Sequence, residues 1–328
     1  MSSALGDAPI VVAVAIDDQY APWAATLLRS CIMANPSIAL SFEIVHNGTL
    51  SEEDRSRLVL SAKSEHSSVR FHTVSGDDLR GLPTTPHFGT VVWMRFFIPD
   101  LLLDRTRVIY LDSDTLVMSG LLDLWSVPLD STSIAAVANV VEPSVRPHVR
   151  SMGIEYPGGF FNSGVLVMDL ERMRIDRSAE ELLKTAFDHR DRLVWPDQDA
   201  LNLVFRRRWL PLHPRWNAQN SFWAWDEWAT DVFGRVPLEE AKIRPAIRHF
   251  EGPGLSKPWH YLCPYPGRKH YRAVMAQTPW AGTPLQDKTA ATRFVRWFPP
   301  EARIQAYIRL DRVRRRLAER NQNRGRQR

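Results

Sequence analysis

Two carboxylates separated by one residue follow a short apolar segment. Asp112 and Asp114 come directly after Arg107–Leu111, and residues 115–118 are again mostly apolar. An Asp-x-Asp pair at the end of a strand lets alternate carboxylates approach one cation, and oxygen ligands suit Mg²⁺ or Mn²⁺. An isolated pair of this kind is usually a solvated turn, but the apolar residues on both sides favour a metal site.

A histidine followed by a glycine-rich loop lies 135 residues beyond Asp114. His249 is followed by Gly252, Gly254 and Lys257. Glycine lets backbone N–H groups approach a phosphate closely, and lysine adds a point charge. An imidazole beside two carboxylates favours Mn²⁺ over Mg²⁺. The structural alternatives are a hydrogen-bonded core histidine and an ordinary turn.

Each of three polar clusters comes at the end of a predicted strand. Asp17 and Asp18 follow the continuous apolar segment Ile10–Ile16, just as the Asp-x-Asp pair and His249 follow theirs. In open α/β sheets, ligands bind beyond the carboxyl ends of the strands. The three clusters are therefore predicted to converge on one site.

The elements that must position these clusters alternate between strand and helix, which predicts an α/β fold with a mostly parallel sheet. The predicted strands are Ile10–Ile16, Leu40–His46, 69–74, Arg107–Leu111, 133–141, 164–168 and 246–250. The predicted helices are 21–33, one capped by Ser51, 91–103, 180–187 and Pro196–Val204. Residues 207–228 are dense in Trp, Pro and Arg and are predicted to be irregular.

Composition excludes several protein classes. The chain has 328 residues, of which 44% are hydrophobic and 24% charged, as in soluble globular proteins rather than disordered or collagen-like ones. Cys31 and Cys263 are too few for a disulfide framework or a cysteine-based zinc site, and they fit a reducing cytoplasm. No segment approaches the roughly 20 apolar residues that span a bilayer, and no secretory signal is expected.

The positive charge is concentrated at one end of the chain. The whole chain carries +5, but residues 291–328 carry +9, with 12 arginines and no lysine. Residues 1–290 therefore carry −4. A mildly acidic body argues against a nucleic-acid-binding protein.

Six ordered motifs, which include these clusters, resemble those of family 8 glycosyltransferases. They are Ala15 to Tyr20, Arg95, Tyr110 to Asp114, Phe161 to Leu166, Asp197 to Asn202, and His249 to Trp259. The resemblance runs from about residue 9 to about residue 262 and is specific at the family level. It implies retaining, metal-dependent enzymes with a GT-A fold, a Rossmann-like mixed and mostly parallel sheet flanked by helices. The family includes bacterial lipopolysaccharide galactosyl- and glucosyltransferases and, more distantly, glycogenin.

The resemblance implies a nucleotide and metal site. Asp17 would accept a hydrogen bond from the uracil N3–H, Tyr20 would present its ring to the base, and Ala15 would add backbone contacts. Three residues would hold Mn²⁺, with Mg²⁺ as an alternative, against the phosphates of UDP: Asp112, Asp114 and His249. Two would bind the diphosphate and stabilise its charge: Gly252 and Lys257.

The resemblance also implies a pocket for the donor sugar. The residues that would line it are Arg95, Asn139, Asn162, Asp197 and Gln198. Asn139 stands where the galactosyltransferases of the family carry an aspartate, which alters the preference among sugar hydroxyls. Four of the implied site residues also have a structural alternative: Tyr20 as a core aromatic, Arg95 as a surface ion pair, Asn162 in a turn, and Asp197 as a helix N-cap.

A mechanism follows from the charges that must be stabilised. Transfer from a nucleotide sugar passes through an oxocarbenium-like species while negative charge grows on the leaving diphosphate, which the metal and Lys257 would stabilise. Gln198 matches the family position on the opposite face of the sugar, and its amide oxygen is a poor nucleophile. We therefore favour attack by the acceptor hydroxyl on the face that UDP leaves. Asp197 or Asp199 as a covalent nucleophile is the alternative.

The predicted GT-A domain covers residues 9–275, and an aromatic, Arg-rich tail covers 276–328. The tail carries Phe294, Trp297 and Phe298, then a predicted helix over 301–317. Its apolar residues are Ile304, Tyr307, Ile308, Leu310, Val313 and Leu317, and its basic residues include Arg312, Arg314, Arg315, Arg316 and Arg320. Such a segment is typical of membrane-interface binding. The alternative is a solvated helix docked on the body with a disordered end.

The sequence thus predicts a cytoplasmic or peripheral-membrane enzyme. It would move glucose or galactose from a UDP-hexose to a glycan or lipid-linked acceptor, in the manner of lipopolysaccharide biosynthesis. A non-catalytic nucleotide-sugar-binding or membrane-scaffold protein with the same fold is the alternative. The acceptor, the linkage and the oligomeric state stay open.

Overall fold

Nine strands carry the architecture of the computed structural model, which describes residues 8–84, 89–303 and 305. The strands are β1 (Ile10–Ile16), β2 (Leu40–His46), β3 (Ser67–Thr73), β4 (Arg107–Leu111), β5 (Thr115–Val117), β6 (Ile134–Ala138), β7 (Phe161–Asp169), β8 (Trp209–Pro211) and β9 (Ile247–His249). Seven of them form one sheet in the order β3-β2-β1-β4-β7-β6-β8, and β5 pairs with β9.

Helices lie between most of these strands. The α-helices are α1 (Ala21–Ala34), α2 (Glu52–Ser61), α3 (Ile98–Leu101), α4 (Leu122–Trp125), α5 (Arg146–Ser151), α6 (Leu170–Ile175), α7 (Ser178–Asp188), α8 (Pro196–Val204), α9 (Ser221–Ala224), α10 (Asp226–Phe233), α11 (Arg235–Ile243), α12 (Arg268–Met275) and α13 (Ala290–Val295). Short 3₁₀ helices cover Asp18–Tyr20, Thr90–Phe97, Pro214–Asn217 and Gly254–Ser256.

The large sheet is mixed but mostly parallel, as predicted. Strands β3, β2, β1 and β4 run parallel, β7 is antiparallel to both β4 and β6, and β8 is parallel to β6. Every residue of β1 is buried, which is typical of a strand covered on both faces. The predicted strand and helix alternation is therefore confirmed.

One edge of the sheet gathers the polar segments. The carboxyl ends of β1 and β4 lie side by side, because these strands are parallel neighbours. The amino end of β7 lies at the same edge, since β7 runs antiparallel to β4, and the Asp112 N–H donates to the Gly164 carbonyl at 2.8 Å. The β5–β9 pairing then places Thr115 opposite His249. Residues far apart in sequence therefore meet at this edge.

Two predicted segments differ from the structure. Residues 91–103, predicted as one helix, form a 3₁₀ helix over Thr90–Phe97 followed by α3. Pro99 has no N–H to bond the Arg95 carbonyl, which instead accepts from Ile98 in the 3₁₀ pattern. Residues 207–228, predicted as irregular, contain β8 and several short helices.

The tail lies partly outside the described residues. The predicted residues Ile304, Tyr307, Ile308, Leu310, Val313 and Leu317 and the arginines from 312 to 320 are not described. The described chain continues to pack beyond residue 275, since Trp280 is buried and His260 pairs with Gln286. The division at residue 275 stays a prediction.

A buried charge cluster holds β2 to its neighbours. The Glu43 side chain is fully buried and accepts hydrogen bonds from Arg70 at 2.8 Å and from His72 at 2.8 Å. Arg105 lies 3.3 Å from the same carboxylate. Burial alone would raise the pKa of Glu43, but these partners together lower it to about 2. The alternating sequence of β2 is therefore compatible with full burial, because its charged residue is paired.

We expect Glu43→Gln to lower the free energy of unfolding at neutral pH by about 3 kcal/mol, because it removes the fully buried carboxylate that pairs with Arg70, His72 and Arg105. The difference from the unaltered chain should be full above pH 4.5, the ordinary pKa, and shrink as pH falls towards 2. Denaturant unfolding at neutral and acidic pH measures it.

Asp104→Asn is the matched control, since Asp104 also pairs with Arg70 but its side chain is 56% exposed. We expect a loss below about 1 kcal/mol. Equal losses for the two variants would contradict the assignment of the stabilisation to the buried carboxylate.

Candidate active site

Three predicted metal ligands meet at the carboxyl edge of the sheet. Asp112, Asp114 and His249 each offer one ligand atom, and these atoms lie within 4.8 Å of one another. His249 Nε2 is 3.2 Å from Asp114 Oδ1 and 3.9 Å from Asp112 Oδ2. Two carboxylates and one imidazole suit Mn²⁺, with Mg²⁺ as the harder alternative. The donor set therefore fits a divalent cation.

Lys257 closes one side of this cluster. Its ammonium donates to Asp114 Oδ2 and to the Phe250 carbonyl, the latter at 3.3 Å. Burial would raise the pKa of Asp114, but the charges of Lys257 and His249 outweigh it and lower that pKa. Burial by itself would lower the pKa of Lys257, but Asp114 outweighs burial and raises that pKa. Both groups are therefore held in their charged forms.

The loop that carries Lys257 depends on a glycine. Gly252 has φ +86°, a left-handed conformation in which other residues are strained. A Cβ there would stand 3.1 Å from Ser256 Oγ. The loop therefore reaches Lys257 through a tight turn at Gly252.

Arg95 joins the metal cluster to the predicted sugar pocket. Its guanidinium donates to Asp112 Oδ1 at 2.9 Å and lies 3.3 Å from Asp197 Oδ2. It also donates to the Ser163 carbonyl at 2.8 Å and stacks over the Tyr110 ring. Burial disfavours its charge, but the two carboxylates raise the pKa of Arg95. The predicted alternative of a surface ion pair is wrong, because Arg95 is buried between its partners.

Asp197 and Gln198 begin α8 and face the start of β7. Gln198 Oε1 accepts from the Ser163 N–H at 3.1 Å, and Asp197 Oδ2 accepts from the Ser163 hydroxyl at 3.2 Å. Burial raises the pKa of Asp197, which Arg95 partly offsets. Asn202, one turn further on, bonds both the N–H and the carbonyl of Phe161. These bonds fix α8 against β7.

The Asp199 carboxylate has different partners from those of its neighbours Asp197 and Gln198. It is fully buried and accepts hydrogen bonds from the Val194 and Trp195 N–H groups and from His148 Nε2, at 2.7, 3.1 and 2.8 Å. This carboxylate therefore holds the segment that enters α8. Such bonding is typical of a structural role and sets it apart from its neighbour Asp197.

Asn139 and Asn162 lie together at the ends of β6 and β7. Asn162 Nδ2 donates to Asn139 Oδ1 at 3.4 Å, and both side chains are buried. Asn162 Oδ1 accepts from the Gly164 N–H at 3.0 Å. The two residues predicted for the donor sugar are thus in contact with each other.

The residues predicted for the nucleotide lie at the end of β1. Asp17 caps the following 3₁₀ helix by accepting from the Tyr20 N–H at 3.2 Å, and Ala15 is buried in β1. Tyr20 is 38% exposed, so its ring is not a core aromatic. Burial is the largest of the effects that raise the pKa of Tyr20. The charge of Lys257 lowers this pKa and the charge of Asp114 raises it, each by less than burial does. Tyr20 therefore lies within electrostatic reach of the cluster.

The close approach of β7 to the metal cluster requires a glycine. A Cβ on Gly164 would stand 2.3 Å from His249 Cε1 and 2.8 Å from Asp112 Oδ2. Both distances are far below van der Waals contact. Gly164 therefore lets the strand pass behind two of the predicted metal ligands.

Several residues that shape the site were not predicted from the sequence. Ser163 and Asn202 lie inside the quoted motifs, so they were within reach of the resemblance. Tyr110, which donates to Asp112 Oδ1 at 2.8 Å, also lies inside a quoted motif. Asn217, which contacts His249 at 2.9 Å, carries no local signal because it lies in the segment predicted as irregular.

A model of the family described as glycosyl transferase family 8 matches residues 11–263. The chain is 30% identical over 240 residues to general stress protein A of Bacillus subtilis, covering 72% of this chain and 82% of that protein. It is 27% identical over 283 residues to lipopolysaccharide 1,3-galactosyltransferase of Salmonella typhimurium, covering 82% and 79%. It is 25% identical over 285 residues to lipopolysaccharide 1,2-glucosyltransferase of Escherichia coli, covering 86% and 82%.

Two solved structures share the fold. The galactosyltransferase LgtC in complex with donor and acceptor sugar analogues has a TM-score of 0.73 at 23% identity, covering 87% of this chain and 99% of that one. The apo structure of the bifunctional glycosyltransferase WbbM has a TM-score of 0.68 at 23% identity. It covers 85% of this chain, which spans about half of WbbM (52%). These likenesses confirm the predicted GT-A fold.

We expect Gly164→Ala to lower the affinity for Mn²⁺ by at least about tenfold, because the added Cβ displaces His249 or Asp112. Isothermal titration calorimetry measures the affinity, and circular dichroism monitors the fold.

Gly76→Ala is the matched control, since a Cβ there meets nothing within 4 Å. It should bind Mn²⁺ as the unaltered chain does. Unchanged binding in Gly164→Ala would show that β7 does not constrain the ligands.

Proposed function

The chain belongs to glycosyl transferase family 8, and we propose that it transfers glucose or galactose from a UDP-hexose to a glycan or lipid-linked acceptor, with retention of configuration. The observation that carries the proposal is the cluster of Asp112, Asp114 and His249 with Lys257 at its side. It lies at the carboxyl edge of the sheet, where nucleotide ligands bind in open α/β folds.

We infer that Asp112, Asp114 and His249 hold Mn²⁺. When bound, the cation would supply Lewis-acid neutralisation of the diphosphate charge. Lys257 adds a second positive charge from the glycine-containing loop and is positioned to bind the departing diphosphate. Asp17 and Tyr20, at the end of the neighbouring strand, are assigned to the base.

The contacts of the polar residues at α8 support front-face transfer. The acceptor oxygen would bond the anomeric carbon on the face from which the phosphate oxygen leaves, and its proton would pass to that phosphate. Asp197 is paired with Arg95 and with the Ser163 hydroxyl, which reduces its nucleophilicity. Gln198 would instead place its amide oxygen towards the positive charge of the sugar.

The acceptor proposal rests on the relatives and on the tail. Two relatives are named as lipopolysaccharide glycosyltransferases. Phe294 and Trp297 are 69% and 89% exposed and lie within residues 291–328, which carry +9. Arg296 stacks over the Tyr261 ring at 4.8 Å, which ties this segment to the body.

We place the enzyme in the cytoplasm, peripherally bound to the inner face of the membrane. Among the residues described by the structure, no helix is long and apolar enough to cross a bilayer.

The first test is hydrolysis and binding of a panel of UDP-sugars with and without Mn²⁺. We expect metal-dependent release of UDP from UDP-glucose or UDP-galactose, and loss of that release in Asp114→Asn with the fold intact. Binding without turnover, even when glycan acceptors are supplied, would favour the non-catalytic alternative. No binding of any UDP-sugar, or near-normal activity of Asp114→Asn, would contradict the nucleotide and metal assignments.

The membrane proposal has its own test. Binding of the full chain to vesicles containing phosphatidylglycerol should fall by at least about a hundredfold in the double variant Phe294→Ala, Trp297→Ala, since each aromatic loses about 1.5–3 kcal/mol of apolar burial and every 1.4 kcal/mol is a factor of about ten. Vesicle sedimentation measures it.

Leu103→Ala is the control for a generic exposed apolar side chain, since Leu103 is 72% exposed outside the tail. It should leave vesicle binding unchanged. Equal binding by the double variant and the unaltered chain would contradict membrane docking through this segment.

A further inference from the structure

A buried asparagine connects the metal cluster to the predicted sugar pocket. Asn217 ends the 3₁₀ helix Pro214–Asn217 and is fully buried. Its Oδ1 lies 2.9 Å from His249 Nδ1, and its Nδ2 donates to Asn162 Oδ1 at 2.8 Å. A buried amide with both ends bonded holds its neighbours in one arrangement.

The backbone decides the direction of these hydrogen bonds. The Gly164 N–H can only donate, and it points at Asn162 from 3.0 Å, so the Asn162 atom that receives it is the oxygen. That oxygen also faces Asn217, which must therefore present its amide nitrogen there. The Asn217 oxygen is then left for His249, so His249 Nδ1 carries a proton.

The consequence concerns the other ring nitrogen. A neutral imidazole with its proton on Nδ1 has its lone pair on Nε2. Nε2 is the atom that lies 3.2 Å from Asp114 Oδ1, on the side of the metal cluster. Histidines that bind metals are commonly oriented by a hydrogen bond at the second nitrogen.

We propose that Asn217 is a positioning residue that holds His249 in the tautomer able to bind a divalent cation through Nε2, and that the same side chain orients Asn162. This inference rests on the proposed function, because it concerns the same metal site. Asn162 in turn donates to Asn139 at 3.4 Å, so one chain of amides joins the metal ligand to the predicted sugar pocket.

The backbone around Asn217 supports this role. The Ala218 N–H donates to the Ile247 carbonyl at 2.9 Å, and the His249 N–H donates to the Ala218 carbonyl at 3.0 Å. These bonds fix the distance between the chain at Asn217 and the chain at His249. The Asn217 side chain therefore reaches the imidazole without a mobile element in between.

Two substitutions distinguish the role of the Asn217 amide oxygen from that of its amide nitrogen. Asn217→Ala removes both bonds and should weaken Mn²⁺ binding by about 10–100-fold. Asn217→Asp keeps an acceptor for His249 Nδ1 but has no N–H for Asn162. It should bind Mn²⁺ at least as tightly as the unaltered chain, yet bind the UDP-sugar more weakly at saturating Mn²⁺. Calorimetry on the full chain measures both affinities.

A second measurement does not depend on a variant that folds. Long-range ¹H–¹⁵N correlation spectra of the unaltered chain saturated with Mg²⁺, a diamagnetic cation, identify which nitrogen of His249 is protonated. The cation is needed because without it Nε2 faces the Asp114 carboxylate, a competing acceptor. We expect Nδ1–H.

Several outcomes would overturn the inference. They are a proton on Nε2, Mn²⁺ binding in Asn217→Ala equal to that of the unaltered chain, or equally weak Mn²⁺ binding in the Ala and Asp variants. Failure of the unaltered chain to bind Mn²⁺ or Mg²⁺ would contradict the proposed function instead.

Discussion

Negative charge concentrated at one edge of a sheet is the constraint on which the site depends. Asp112, Asp114 and Asp197 converge there, and an uncompensated buried carboxylate costs several kcal/mol. Arg95 lies between two of these carboxylates, and Lys257 pairs with the third. The cations are therefore part of the framework that lets the carboxylates lie close together. A divalent cation and a diphosphate would enter a site whose charges are already arranged.

The backbone keeps these charges in place. The antiparallel pairing of β4 and β7 brings Gly164 against Asp112, where a side chain of any size would collide with the ligands. The short pairing of β5 with β9 carries His249 to Asp114. Two strand pairings therefore define the proposed metal site, and Gly164 makes their close approach possible.

Buried amides then link the proposed metal site to the proposed sugar pocket. Asn202 bonds the start of β7, and Asn217 bonds His249 and Asn162. These asparagine side chains carry no charge that would mark them as site residues in the sequence, but each one holds two neighbouring groups. The donor sugar and the metal would therefore be positioned by one connected network rather than by independent loops.

The sequence by itself determined the α/β class, the main strands and the family. Continuous apolar segments such as β1 and the Asp-x-Asp pair that follows β4 are local signals, and the order of six motifs survives in the linear chain. Only the tertiary structure decided that Arg95 bridges Asp112 and Asp197, that Glu43 is paired in a fully buried strand, and that Asn217 reaches His249. It also decided that β5 and β8 are strands, because three residues become a strand only when a partner supplies the hydrogen bonds. These contacts join segments far apart in the chain, so no local pattern of residues encodes them.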